Sequence, residues 1–105
     1  VKRLWFNPNQ RLSLQYHNHR TEDWVVVQGS GIVTQNRVET ECKVGDTFHI
    51  NLEMKHRAKG GPDGLMIIET QLGICREDDI IRLEDDYGRI DRETTYMCMN
   101  EYGTE

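Results

Sequence analysis

The side chains best suited to chemistry lie in one short stretch, Gln15-Tyr16-His17-Asn18-His19-Arg20-Thr21-Glu22. Gln15, His17 and His19 alternate with other residues, so on an extended strand they project from one face. Glu22 follows where the chain should leave that strand, and His56 stands far downstream. Imidazole and carboxylate donors together suit a divalent metal, Zn first, with Mn, Co, Ni, Fe or Cu also compatible. The amide oxygen of Gln15 is a weaker ligand and fits a labile, open site. Such a cluster would be costly to bury without a cation. His49, with no partner of this kind nearby in sequence, reads as an ordinary surface or core histidine.

The elements that must hold these residues have a period of two. Arg11 to His19 alternates, with Leu12, Leu14 and Tyr16 pointing away from the histidine side. Trp24-Val25-Val26-Val27 reads as a β-branched strand closed by a turn at Gly29-Ser30-Gly31. Ile32-Val33-Thr34 and Val38 to Lys43 read as a hairpin turning at Gln35-Asn36-Arg37. Thr47 to Ile50 is another strand, Lys59 to Gly64 a loop, and Leu65 to Gln71 a further strand. Short strands with Gly-bearing turns predict an all-β sandwich or barrel. The charged segment Arg76 to Arg89 predicts one or two helical turns, with Asp78 or Asp79 near an N-terminus. Asp85-Asp86 reads as a solvated acidic turn. Trp5, Phe6, Trp24 and Phe48 are expected in the core. The run Met97-Cys98-Met99 offers soft sulfur atoms, but strand or terminal packing accounts for it.

Length and composition bound the partners. The chain has 105 residues, 36% hydrophobic and 30% charged, which suits one domain over residues 1–105. Its formal net charge of −5 offers no general field for nucleic acid. No stretch is apolar enough to span a membrane, and Val1 to Phe6 is too quickly interrupted for a signal peptide. With Val at its first position, the chain can begin inside a longer protein. Cys42, Cys75 and Cys98 are odd in number and far apart, which predicts free thiols in a reducing compartment and hence a cytoplasmic location. If the Leu12, Leu14 and Tyr16 face were bare, a second copy could cover it, so a homodimer is expected.

The spacing Gln15-x-His17, Glu22, Gly29, followed by Gly45 and His56, resembles the two metal motifs of the cupins, small jelly-roll β-barrels. Asn9 stands in the leading Gly slot, and Asn51, Glu53 and Gly60 stand where Pro, Gly and Asn are usual. The ligand spacing is kept while turn residues differ. Gln10 to Val27, Lys55-His56-Arg57 and the tail Glu77 to Arg89 narrow the likeness. Together they resemble type II mannose-6-phosphate isomerases, a cupin that also forms the C-terminal part of bifunctional mannose-1-phosphate guanylyltransferases. Residues 90–105 match nothing in that pattern.

The resemblance implies a metal-dependent interconversion of mannose 6-phosphate and fructose 6-phosphate, with a sugar phosphate as ligand. The expected metal ligands are Gln15, His17, Glu22 and His56, with His19 a fifth ligand or a neighbour of one. Arg20 is the expected cation for substrate phosphate, with Arg11, Arg57 and Arg89 as further candidates. Glu22, Lys55 and His19 are each chemically able to act as the base. Two other readings stay open. One is a non-catalytic cupin that binds metal and sugar as a sensing or accessory subunit. The other is a dioxygenase built on His17, His56 and Glu22 as two histidines and a carboxylate.

Overall fold

Alternating polarity and β-branched runs favour extended chain almost throughout. The computed structural model describes residues 1–74 and 79–88. Its strands are β1 (Lys2–Phe6), β2 (Leu14–His17), β3 (Arg20–Gln35), β4 (Val38–Lys43), β5 (Thr47–Ile50), β6 (His56–Gly73) and β7 (Ile80–Glu84). Their pairings are antiparallel.

The long strands β3 and β6 organise the rest. The first half of β3 pairs with the second half of β6, with β5 on one side and β1 on the other. The second half of β3 pairs with the first half of β6, flanked by β4 on one side and by β2 and then β7 on the other. One strand pair therefore serves two sheets. Between them lies a core drawn from both: Leu4, Phe6, Trp24, Val26, Ile50, Leu65 and Ile67 from one, Leu12, Val33, Cys42, Ala58 and Ile80 from the other side. Trp5 and Phe48, expected in this core, are only half-buried.

The passage from one sheet to the other falls where the sequence predicts turns. Gly29-Ser30-Gly31 and Lys59 to Gly64 are not loops but interior parts of β3 and β6. They lie against each other, with Gly29 opposite Leu65 and Gly31 opposite Gly60. The register shifts between Val26 and Gln28 and again between Gly29 and Gly31, and such bulges bend a strand. A Cβ on Gly29 would strike the Gly64 carbonyl, and one on Gly31 the Lys59 carbonyl. The glycines thus permit close approach rather than chain reversal. The expected reversal at Asn36-Arg37 does occur. Both residues have positive φ, 46° and 75°, and link β3 to β4 as a two-residue hairpin turn.

Two further expectations change. Within the charged segment expected to form one or two helical turns, Ile80–Glu84 is the strand β7, paired with β2, while residues 75–78 lie outside the described residues. Asp79 accepts the backbone N–H of His19 at 2.8 Å and of Asn18 at 3.1 Å, fastening the link from β2 to β3. The strand expected over Arg11 to His19 is confined to Leu14–His17. Leu12 is buried in the core, and Leu14 and Tyr16 are half-covered within the chain. Of the apolar face on which the homodimer expectation rests, Leu12 is therefore withdrawn into the core, while Leu14 and Tyr16 stay partly open. Arg89, Cys75, Met97-Cys98-Met99 and the extension over 90–105 lie outside the described residues. Among the described residues no helix is long and apolar enough to cross a membrane.

Candidate metal centre

The centre lies between the two sheets. β2 contributes Gln15 and His17, β6 contributes His56 directly opposite Gln15, and β3 contributes Glu22. His17, Glu22 and His56 are all buried, and one possible ligand atom from each lies within 4.8 Å of the others. Burial follows from strand alternation: Glu22 shares the inward face of β3 with Trp24 and Val26.

Each side chain is held by a neighbour. His56 Nδ1 donates to the Met54 carbonyl at 2.8 Å, the tautomer that leaves the Nε2 lone pair available. That Nε2 is buried and has no hydrogen-bond partner among the described residues. Glu22 Oε1 accepts from the Trp24 indole at 3.0 Å, and Oε2 accepts from Arg20 Nε at 2.9 Å. His17 Nε2 lies 3.5 Å from Glu22 Oε2, 3.2 Å from Arg20 Nη2 and 3.4 Å from Gln15 Nε2. Ser13 Oγ donates to Gln15 Oε1 at 2.7 Å and fixes the amide.

The electrostatics keep the imidazoles neutral. Burial, reinforced by the nearby His56, Arg20 and Lys2, drives the pKa of His17 far below the ordinary histidine value. Burial lowers His56 to about 4, with the Met54 hydrogen bond and Glu69 opposing. Neutral imidazoles with a buried carboxylate form a donor set for a divalent ion. The orphaned His56 Nε2 is an acceptor such an ion would satisfy, so these residues fit a metal. Without one, the Arg20 guanidinium supplies the positive charge beside Glu22.

The other expected site residues separate. His19 is exposed and lies outside this cluster, because the turn that follows β2 carries it out of the strand register. Arg20 does meet the cluster. Lys55 is exposed and, with Arg57, sits on the side of the strand opposite to His56. Arg11 forms a two-pronged pair with Asp86, at 2.7 and 2.8 Å, at the surface. Arg57 donates to the Leu12 carbonyl and to Glu84, both at 3.0 Å. Arg11, Lys55 and Arg57 thus gather on the outer face, away from the metal cluster.

Two inward-facing residues escape the sequence reading. Glu69 is buried, shares a hydrogen bond with Glu22 and accepts from Gln71 Nε2 at 2.6 Å. Its pKa is pushed well above the usual carboxylate range, first by burial and then by Glu22. The signal was available: Glu69 continues the inward positions Leu65 and Ile67. Arg82 is likewise buried, on β7 opposite Gln15. The sequence presents it inside a charged run, where nothing marks it as interior.

Residues 1–85 match the family described as mannose-6-phosphate isomerase C-terminal. The chain belongs to this mannose-6-phosphate isomerase C-terminal family. Relatives in it include the xanthan biosynthesis protein XanB of Xanthomonas campestris, 43% identical over 85% of this chain and 20% of its own length. The alginate biosynthesis protein AlgA of Pseudomonas aeruginosa is 44% identical over 85% of this chain and 19% of its own length. The mannose-1-phosphate guanylyltransferase ManC of Salmonella typhimurium is 39% identical over 86% of this chain and 19% of its own. The chain therefore spans about a fifth of the length of these relatives. In fold, this family member resembles a cupin protein from Bacteroides fragilis, with TM-score 0.63 and 16% identity over 69% of this chain and 63% of that one. The capsular polysaccharide assembling protein CapF from Staphylococcus aureus gives TM-score 0.69 and 16% identity over 79% of this chain and 27% of that one. The fold is the all-β cupin fold expected from the motif spacing.

Proposed function

We propose that this domain holds a divalent metal at His17, Glu22 and His56, with Gln15 beside it, and interconverts mannose 6-phosphate and fructose 6-phosphate. The observation that carries the reading is the buried group of two neutral imidazoles and one carboxylate, with His56 Nε2 lacking a hydrogen-bond partner among the described residues. Zn suits this donor set first, and Mn, Co, Ni and Fe also accept it. Family membership supports the sugar-phosphate substrate. A cytoplasmic location accords with the free thiol of Cys42.

Aldose–ketose isomerisation moves a proton between C1 and C2 and places negative charge on the sugar oxygens. A bound divalent ion would supply Lewis-acid stabilisation of that charge. The chain's own residues do the rest. Trp24 and Arg20 hold Glu22 in one orientation. The proton transfer falls to Glu69, buried beside Glu22, rather than to His19 or Lys55 at the surface. Arg20, already at the centre, is the guanidinium best placed to meet an anionic substrate.

The test supplies metal-loaded protein with mannose 6-phosphate and follows fructose 6-phosphate. Turnover that disappears in the His17→Ala/His56→Ala double variant supports the reading, and turnover equal to that variant's refutes it. The Arg20–Glu22 ion pair favours one second reading, a sugar-binding cupin without catalysis, since it neutralises the carboxylate with no metal. Saturable mannose 6-phosphate binding without product would select it.

A further inference from the structure

β6 presents a second, different chemistry on its other side. His56 and Ala58 face the interior, whereas Arg57 and Lys59 of β6 and Lys55 just before it alternate with them and line the outer side. On this outer face lies a cavity of about 570 Å³, and its basic lining is Arg11, Arg37, Lys55, Arg57 and Lys59. Among the described residues, Glu39 and Glu84 oppose them in the lining. This is a local reversal of sign in a chain of formal net charge −5.

The cations are arranged, not merely crowded. Asp86 fixes Arg11 by two hydrogen bonds. The Leu12 carbonyl and Glu84 fix Arg57. Even so, Arg57 keeps a donor in hand, because its Nη2 is buried with no hydrogen-bond partner among the described residues. A buried N–H left unmade is costly, and an anionic oxygen is its strongest partner. Burial and then the charge of Arg11 lower the pKa of Arg57, with Glu84 and Asp86 opposing.

We propose that this outer-face cavity binds a small molecule bearing a diphosphate group. Same-side residues on a strand are about 6.6 Å apart, so Lys55, Arg57 and Lys59 form a row about 13 Å long. A single phosphate can meet only part of that row, while two linked phosphates can engage Arg57 and a flanking lysine together. Leu14 and Ile32 add apolar lining for the remainder of the ligand. The site lies on the opposite side of β6 from His56, so it does not depend on the isomerase reading.

Calorimetry of the metal-free full chain at low ionic strength tests it, with inorganic pyrophosphate and inorganic phosphate as titrants. Pyrophosphate should saturate one site at least tenfold more tightly than phosphate. The Lys55→Glu/Lys59→Glu double variant, changed at two exposed positions, should weaken pyrophosphate binding at least tenfold. If that variant fails to fold, Lys55→Gln/Lys59→Gln takes its place, with a loss of at least threefold expected. A nucleoside diphosphate tested in parallel should compete with pyrophosphate for the same site. Absence of saturable binding, equal affinity for the two titrants, or wild-type binding by the folded lysine variant would each overturn the proposal.

Discussion

The two sides of β6 carry opposite solutions to the same problem of placing charge. On the inner side, His56 and its neighbours are buried, neutral where they can be, and paired where they cannot. The Arg20–Glu22 pair there is 2% and 1% exposed. On the outer side, Arg57 pairs with a Glu84 side chain that is 62% exposed, and Arg11 with an Asp86 that is 40% exposed. One residue of register separates the two sides. Removing an inner partner strands a charge away from water, whereas removing Asp86 on the outer side hands the Arg11 charge back to solvent.

The largest expected effect that would sharpen this contrast comes from Glu22→Ala. It leaves Arg20 buried without its carboxylate and should cost about 3–5 kcal/mol in urea unfolding of the metal-free protein. A loss below about 1 kcal/mol would show that the inner pair behaves like a surface one.

The pH dependence of the metal-free protein is next. His56 has its folded pKa lowered from 6.5 to about 4. Its contribution is complete above pH 6.5 and falls away as pH drops toward 4, by up to about 3 kcal/mol. Glu69 has its folded pKa raised from 4.5. Its contribution is complete below pH 4.5 and is lost as pH rises through the higher folded value. The two oppose between 4.5 and 6.5, and above 6.5 only the Glu69 decline remains. Thermal melts in a chelator should show stability falling from pH 6.5 to 8.5, and Glu69→Gln should flatten that limb. An unchanged limb in the variant would assign the decline elsewhere.

His56→Ala should weaken zinc binding by more than about 100-fold in a calorimetric titration, exceeding the loss typical of a residue that merely supports a ligand. His19→Ala should leave zinc affinity within about threefold, since its side chain lies outside the cluster. Equal losses in both would return His19 to the metal. The smallest effect belongs to Asp86→Ala on the outer face, at or below about 1 kcal/mol with zinc affinity unchanged. A coupled loss of metal binding would break the separation of the two sides.

The sequence exposed the metal cluster because its logic is local and periodic. Gln15 and His17 share a strand face by spacing alone, and the residue types of Glu22 and His56 state their chemistry. The same periodicity, extended too far, put His19 on that face; the Asp79 contacts that fasten the turn are long-range. Glu69 was legible in principle as the third inward position after Leu65 and Ile67. Arg82 was not, because a charged residue in a charged run gives no sign of facing inward. Gly29, Gly31, Gly60 and Gly64 were read as turns because glycine is also what a close crossing of two strands requires.

By itself the sequence determined an all-β architecture and the donor types of a candidate divalent-metal centre. Those follow from alternation and from side-chain chemistry, which need only neighbours along the chain. Only the tertiary structure decided that β3 and β6 run unbroken through their glycines, that Glu69 and Arg82 join the interior, and that Arg11, Arg57 and Lys55 gather on the outer face. Each of these depends on which strands pair and in what register, and pairing is fixed by burial summed over the whole chain.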